Sequence, residues 1–117
     1  MDTGKLGEDL AAQYLVKRGY KILGRNFRTR LGELDIICRK GRLIVFVEVK
    51  TLLSNESGFE PELHFTREKM ARMKKTIQLY LLQNNLLEIE FRLDLIALEL
   101  ENNGQARNLR HYENLTA

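Results

Sequence analysis

Residues 32–50 read GELDIICRKGRLIVFVEVK, and this stretch predicts a β-hairpin at the centre of the fold. Leu34–Arg39 and Leu43–Val49 are rich in Val, Ile and other apolar residues, which is the composition of strands. Lys40-Gly41 between them is a short turn signal, because glycine readily adopts the positive φ of a tight hairpin turn.

A two-residue loop at Lys40-Gly41 would place Asp35 opposite Phe46 and Glu33 opposite Glu48. Since strand side chains alternate, one side of the hairpin would carry four charged residues at its open end. These are Glu33, Asp35, Glu48 and Lys50. The other side would be a core face of Leu34, Ile36, Cys38, Leu43, Val45, Val47 and Val49.

The three acids of the charged face would repel one another, so without a cation one of them should have a raised pKa. Carboxylate oxygens are the ligands that Mg²⁺ and Mn²⁺ prefer. Lys50 beside them could orient or deprotonate a water, or neutralise charge on a phosphate. The alternative is a solvated outer face of an edge hairpin. The site is favoured because Glu48 and Lys50 interrupt an apolar run, where a buried strand would carry Val or Ile.

Asp35 followed by Glu48-Val49-Lys50 matches the PD-(D/E)xK pattern of restriction-endonuclease-like nucleases. Longer segments resemble the bacterial YraN family over nearly the whole chain: GKLGEDLAAQYL, GYKILGRNFRTRLGELDII, VFVEVKT, FRLDLIAL and RHYEN. The resemblance implies a restriction-endonuclease-like, three-layer α/β domain with a mixed central sheet flanked by helices, similar to archaeal Holliday-junction resolvases. It also implies a nuclease-type site.

In such a site, the resemblance implies that Asp35, Glu48 and the backbone carbonyl of Val49 hold Mg²⁺ or Mn²⁺, with Lys50 by the attacking water. Glu33 and Glu8 would complete the catalytic set. Glu8 falls over the apolar stripe of a predicted helix, Lys5–Lys17. The residues leave two interpretations of it: a charge at the edge of the stripe near the helix N-terminus, or an acid that reaches the charged face of the hairpin.

Length and composition indicate one domain, residues 1–117, with 44% hydrophobic and 30% charged residues. Nothing approaches the roughly 20 consecutive apolar residues of a membrane span, and the first ten residues lack a signal-peptide pattern. We therefore expect a cytoplasmic protein without a membrane partner. Cys38 is the only cysteine, which excludes an intramolecular disulfide, and its place on the core face predicts a buried thiol.

The net charge of +3 permits nucleic-acid binding without requiring it. The cations concentrate before the hairpin and on one later helix; as candidate nucleic-acid contacts we take Arg25, Arg28, Arg30, Lys69, Arg72 and Lys74. A solvated basic helix and a helix flanking a nucleic-acid groove remain equal alternatives. Phe27 among the arginines could stack on a base, but a core position on a strand is favoured.

The rest of the chain predicts further elements of an α/β sheet covered by helices. They are a short strand at Tyr20–Leu23, a loop at Leu52–Phe65 containing His64, a helix from an N-cap at Thr66 to about Asn84, a strand at Ile89–Leu100 and a final strand ending near Tyr112. Arg92 and Asp94 share a face of the penultimate strand, and we interpret them as structural.

Three functions compete. The first is a Mg²⁺- or Mn²⁺-dependent endonuclease that acts on DNA, including branched DNA, with a homodimer expected by analogy because a resolvase holds two strands at once. The second is a nucleic-acid-binding module with little or no catalysis; Leu52 favours it, since the resemblance has an arginine there. The third is a protein-binding domain, against which the intact acids at positions 33, 35 and 48 argue.

Overall fold

Two helices and five strands make up the fold in the computed structural model, which describes residues 2–54 and 66–115. In chain order they are α1 (Thr3–Lys17), β1 (Lys21–Arg28), β2 (Glu33–Lys40), β3 (Leu43–Leu53), α2 (Arg67–Gln83), β4 (Phe91–Leu100) and β5 (Ala106–Tyr112). The predicted order of elements is confirmed. Among the described residues no helix is both long and apolar enough to cross a membrane.

The strands form one sheet in the order β1-β2-β3-β4-β5. β3 and β4 are parallel, whereas the other neighbours are antiparallel, so the sheet is mixed. A parallel pair needs a crossover connection, and α2 lies within the segment that makes it.

Side-chain oxygens cap the first turns of both helices. Asp2 accepts a hydrogen bond from the Lys5 N–H at 3.1 Å, and Thr66 accepts one from the Lys69 N–H at 3.1 Å, as predicted for the second helix. Gly19, with φ of 90°, follows α1 in the left-handed conformation that commonly ends a helix. Both helices therefore begin at the polar residues that the sequence provides for them.

Each face of the sheet has its own apolar core, which gives an α/β/α arrangement of three layers. On the α1 side the buried residues are Ala11, Leu15, Tyr20, Ile36, Cys38, Val45, Val47, Ile96, Leu98 and Leu100. On the α2 side they are Leu34, Ile37, Ile44, Phe46, Met73, Ile77, Leu81 and Leu93. Burial raises the pKa of the Cys38 thiol to about 12, in accordance with its predicted core position.

The predicted hairpin register is wrong. Lys40 pairs with Leu43, so Gly41-Arg42 forms the turn, and Ile36 pairs with Val47. Gly41 has a φ of 62° and takes the first turn position, as in the hairpin turns that require glycine there. Continuing this register places Asp35 opposite Glu48 instead of Phe46, so two acids of the predicted face confront each other directly.

Two further expectations are corrected. Leu34 packs on the α2 side with its ladder partner Phe27, and not with the predicted core face. Leu52 and Leu53 do not begin a loop but continue β3, in register with Glu99 and Leu100 of β4. The remainder of the predicted loop, including His64, lies at residues 55–65, outside the described residues.

Candidate active site

A cleft of about 320 Å³ opens where the β2–β3 hairpin meets α2. Three of the predicted acids and two of the predicted cations line it together. The lining residues are Leu31, Gly32, Glu33, Asp35, Glu48, Lys69, Arg72, Met73 and Thr76. The cleft therefore brings together, from three separate parts of the chain, acids predicted as metal ligands and cations predicted as nucleic-acid contacts.

Asp35 is the most perturbed acid of the cleft. Its burial, and next the charge of Glu48, raise the pKa of Asp35 to about 7, and the charges of Glu8 and Glu33 act in the same direction. The Val49 N–H donates a hydrogen bond of 2.8 Å to Asp35 Oδ2, which opposes the rise. This is the raised pKa expected of crowded carboxylates without a cation.

Lys69 contacts Glu48 within the cleft, with Nζ 3.0 Å from Oε1. The side chains of both residues are partly buried. Lys69, which was predicted as a nucleic-acid contact on a basic helix, lies in the cleft and offsets part of its negative charge. Arg72 also lines the cleft, whereas Lys74 is exposed on α2 and outside the lining.

Glu8 approaches the acids from the α1 side of the sheet. A Cβ at Gly7 would fall on Thr51 Oγ1, so the absence of a side chain lets α1 lie directly on β3. Burial raises the pKa of Glu8, and Arg25 opposes this from 3.8 Å. Glu8 does not line the cleft; its charge contributes to the raised pKa of Asp35 from behind.

The other predicted residues lie around the cleft. Glu33 is in it, 3.5 Å from Arg28 Nε. Lys50 follows Glu48 by two positions on β3, on the same side of the strand but beyond the lining residues. Arg25 forms its shorter ion pair with Asp9, at 2.7 Å. Arg30 lines a neighbouring depression with Arg28.

Phe27 packs against the α2-side core, as favoured from the sequence, and not in the position of the alternative, in which it stacks on a base. Its ring meets the Tyr80 ring edge-on, with centroids 5.3 Å apart, against the α2-side core. The cations around Phe27 remain at the surface, so the expected separation into a core aromatic and surface arginines holds.

The donor set of the cleft suits a hard divalent cation. Asp35 and Glu48 provide carboxylate oxygens from adjacent strands, and a cation would lower the pKa of Asp35 that burial and the charge of Glu48 raise. Glu33 adds a third carboxylate at the rim. Because Lys69 already neutralises one charge, the residues fit a single divalent ion better than two.

A buried polar network on the other face of the sheet was only partly predicted. Asp94 is fully buried and receives hydrogen bonds from Arg92 Nε at 2.8 Å, His111 Nε2 at 2.7 Å and the Asn114 N–H at 3.0 Å. Burial alone would raise the pKa of Asp94, but the bonds from His111 and Arg92 outweigh it and hold that pKa below its usual value. The sequence indicated the Arg92–Asp94 pair, but His111, seventeen positions from Asp94, gave no signal of its own.

The hydrogen bonds of this network connect elements of the fold to one another. Tyr14 OH lies 3.0 Å from His111 Nδ1, and Arg92 donates to Tyr20 OH at 2.7 Å, so α1 and the chain after it are tied to β4 and β5. Ligand atoms of Asp94, His111 and Glu113 lie within 4.8 Å of one another. Both Asp94 oxygens already accept hydrogen bonds, however, and Arg92 brings its positive charge into the group.

Comparisons with known proteins agree with the resemblance seen in the sequence. The profile of the uncharacterised protein family UPF0102 matches residues 7–98. A UPF0102 protein of Syntrophomonas wolfei is 48% identical over 100 residues, covering 86% of each chain. One from Dictyoglomus turgidum is 37% identical over 113 residues, covering 97% of this chain and 95% of its own.

Among solved structures, Pyrococcus furiosus SfsA in complex with Ca²⁺ is similar to this chain with a TM-score of 0.38 and 20% identity. The likeness covers 96% of this chain and 62% of SfsA. So weak a similarity supports no argument about function, and membership rests on the sequence comparisons. With most of its length matched by the family profile and by relatives of similar size, this chain belongs to the UPF0102 family.

Proposed function

We propose that this protein is a divalent-metal-dependent endonuclease that cuts phosphodiester bonds in DNA. The observation that carries the proposal is the Asp35–Glu48 pair in the cleft: burial, and next the charge of Glu48, raise the pKa of Asp35 to about 7. Cations of α2 stand on the opposite wall of the same cleft. Acids that would bind a metal thus face cations that would bind a phosphate.

In this mechanism Asp35, Glu48 and the Val49 carbonyl would hold Mg²⁺ or Mn²⁺. The bound ion would lower the pKa of a water and stabilise the negative charge that develops on the phosphoryl oxygens. The Val49 N–H keeps the Asp35 carboxylate fixed by donating to Oδ2 at 2.8 Å. That bond orients one oxygen and leaves the other available as a ligand.

Lys50 would orient the attacking water, because it follows Glu48 on the same side of β3. Arg72 and Lys69 would bind the phosphate from the α2 wall, and Lys69 would exchange Glu48 for the phosphate as the metal enters. The water oxygen would form a bond to phosphorus and lose its proton to solvent, while the phosphorus–oxygen bond to the leaving strand end breaks and the departing oxygen takes up a proton from solvent. Glu33 and Glu8 add negative charge that strengthens metal binding.

The surrounding cations would position the DNA. Arg28 and Arg30 line the depression next to the cleft, and Lys74 lies exposed further along α2. Contacts of this kind go to phosphates and carry no sequence information. By analogy with resolvases, we expect two copies of the chain to act on one branched DNA molecule.

A second candidate is a nucleic-acid-binding protein that does not cut. Leu52 favours it: this residue lies within β3 opposite Glu99, at the place where the resemblance has an arginine. A phosphate contact is then missing directly after the metal-binding strand. Binding without turnover is what this alternative predicts.

The deciding experiment compares wild type, Asp35→Asn and Glu88→Gln. Glu88 is an exposed acid outside the cleft, so its variant controls for loss of one negative charge. Calorimetric titration with Mn²⁺ is followed by cleavage assays on linear, flapped and four-way DNA. We expect wild type and Glu88→Gln to bind Mn²⁺ and cut, and Asp35→Asn to do neither. Wild-type protein that binds DNA but never cuts would support the second candidate.

A further inference from the structure

Leu31 is an exposed apolar residue at the mouth of the acidic cleft. It retains 45% of its accessible surface and lines the cleft together with Asp35 and Glu48. It also lines the neighbouring depression, beside Arg28 and Arg30. Leu31 thus stands on the ridge between the acids and the arginines.

The turn that carries Leu31 is closed by its own hydrogen bonds. Thr29 Oγ1 accepts from the N–H groups of Leu31 at 3.0 Å and Gly32 at 3.2 Å. The Thr29 N–H in turn donates to the Gly32 carbonyl at 2.8 Å. These hydrogen bonds close the turn and constrain the direction in which Leu31 projects.

The turn is also seated against α2. A Cβ on Gly32 would lie 3.1 Å from Thr76 Oγ1, which is tighter than ordinary contact. Thr76 is fully buried and donates its hydroxyl proton to the Arg72 carbonyl one turn earlier. The position of Leu31 relative to the α2 wall of the cleft is therefore set by packing, as a specificity element requires.

We propose that Leu31 is a wedge: its side chain enters between two bases that have unstacked beside the phosphate in the cleft. The substrate class is then DNA with unpaired or unstacked bases, such as a branch point. The inference rests on the proposed function of the cleft. Apolar side chains inserted between bases are a known means of holding distorted DNA, and they act where neighbouring cations hold the backbone. A single exposed leucine is common on protein surfaces; this one differs because it is held rigidly between metal-type acids and arginines.

The test measures binding without cutting, in EDTA, by fluorescence anisotropy. Four-way DNA and linear duplex of equal nucleotide number are compared for wild type, Leu31→Ser and Leu31→Met. The matched control is Leu82→Ser, since Leu82 is 57% exposed on α2 and outside the cleft lining. A 2-aminopurine at the branch reports unstacking in the same samples, and thermal melting checks that each variant is folded.

We expect wild type, Leu31→Met and Leu82→Ser to prefer four-way DNA and to increase the 2-aminopurine emission. Leu31→Ser should lose roughly tenfold in affinity for the four-way DNA, because the apolar surface that Leu31 would bury between the bases on binding is lost. Its affinity for linear duplex and the salt dependence of binding should be unchanged, because no charge is altered.

Three outcomes would overturn the wedge: a wild type without branch preference, a Leu31→Ser variant that keeps the preference, or a Leu31→Ser variant that converts a dimer to a monomer in sedimentation. The last would make Leu31 a contact between copies. The Asp35→Asn cleavage assay separates this failure from failure of the proposed function. Leu31-dependent branch binding by a protein that never cuts would overturn catalysis alone, and absence of DNA binding both in EDTA and with Mn²⁺ would overturn both.

Discussion

Lys69 Nζ lies 3.0 Å from Glu48 Oε1, so a cation of α2 neutralises one of the two acids that meet across the β2–β3 hairpin. A divalent cation entering the cleft must compete with this ammonium group for the carboxylate. The pair therefore sets both how tightly metal binds and when Lys69 becomes available to a phosphate.

Replacing Lys69 by Gln should strengthen Mn²⁺ binding and weaken DNA binding. Removal of one nearby positive charge should raise the Mn²⁺ affinity roughly two- to fivefold, the range expected of a partly exposed ion pair. Lys74→Gln is the matched control, because Lys74 is exposed on the same helix outside the cleft. Calorimetry gives the metal affinity and anisotropy the DNA affinity. Equal Mn²⁺ affinities in the two variants would mean that Lys69 does not compete for the site.

Metal-free wild type should lose stability as the pH rises from about 4 to about 7, and Asp35→Asn should lose less. The pKa of Asp35 is raised from 3.8 to about 7, so the folded state favours the protonated acid. Its stabilising contribution is complete below the unfolded pKa and disappears as the pH rises from about 4 to about 7. Urea unfolding between pH 4 and pH 8 with EDTA measures this. Parallel pH profiles for the two proteins would contradict the raised pKa.

The sequence predicted the strands and helices well because their signals are local. Thr66 and Gly19 mark helix ends by capping chemistry, and the apolar periodicity of α2 marks its buried side. The register of the hairpin depended on which turn position Gly41 occupies, and a glycine flanked by Lys40 and Arg42 fits either. One misplaced turn residue moved the predicted partner of Asp35 by two positions.

The acids of the site could be predicted because they interrupt an apolar strand, whereas the role of Lys69 could not. On α2 it is one of five cations between Arg67 and Lys75, and helical periodicity alone does not say which of them turns toward the sheet. The crossover from β3 to β4 fixes where α2 lies. That is a property of the assembled fold and not of the helix sequence.

Gly7→Ala should destabilise the fold, whereas Gly4→Ala should not, although both lie in α1. A methyl group at position 7 would overlap Thr51, but at position 4 its nearest neighbour, Asp2 Oδ1, is 3.6 Å away. We expect a loss of about 1–3 kcal/mol for Gly7→Ala from overpacking. Gly4→Ala should gain a few tenths to about 1 kcal/mol from helix propensity.

Urea unfolding distinguishes the two glycine variants. Because α1 also carries Glu8, the folded fraction of Gly7→Ala should in addition bind Mn²⁺ more weakly than Gly4→Ala does. Equal stabilities would show that α1 does not lie as closely on β3 as Gly7 permits.

Asp94→Asn should unfold far more easily than Glu113→Gln, although both acids accept a hydrogen bond from Arg92. Asp94 is fully buried and the Arg92 side chain is partly buried; removing the charge of Asp94 leaves the guanidinium with only the exposed Glu113 as a counterion, which costs about 3–5 kcal/mol. Glu113 is largely exposed and 3.5 Å from Arg92, so its loss should cost less than about 1 kcal/mol. Urea unfolding measures both free energies of unfolding.

Mn²⁺ titration of the folded proteins then tests whether the network is separate from the cleft. Because Asp94 faces α1 while Glu48 faces α2, Mn²⁺ affinity should be the same in both variants. A folded Asp94→Asn that no longer binds Mn²⁺ would instead make the network part of the metal site.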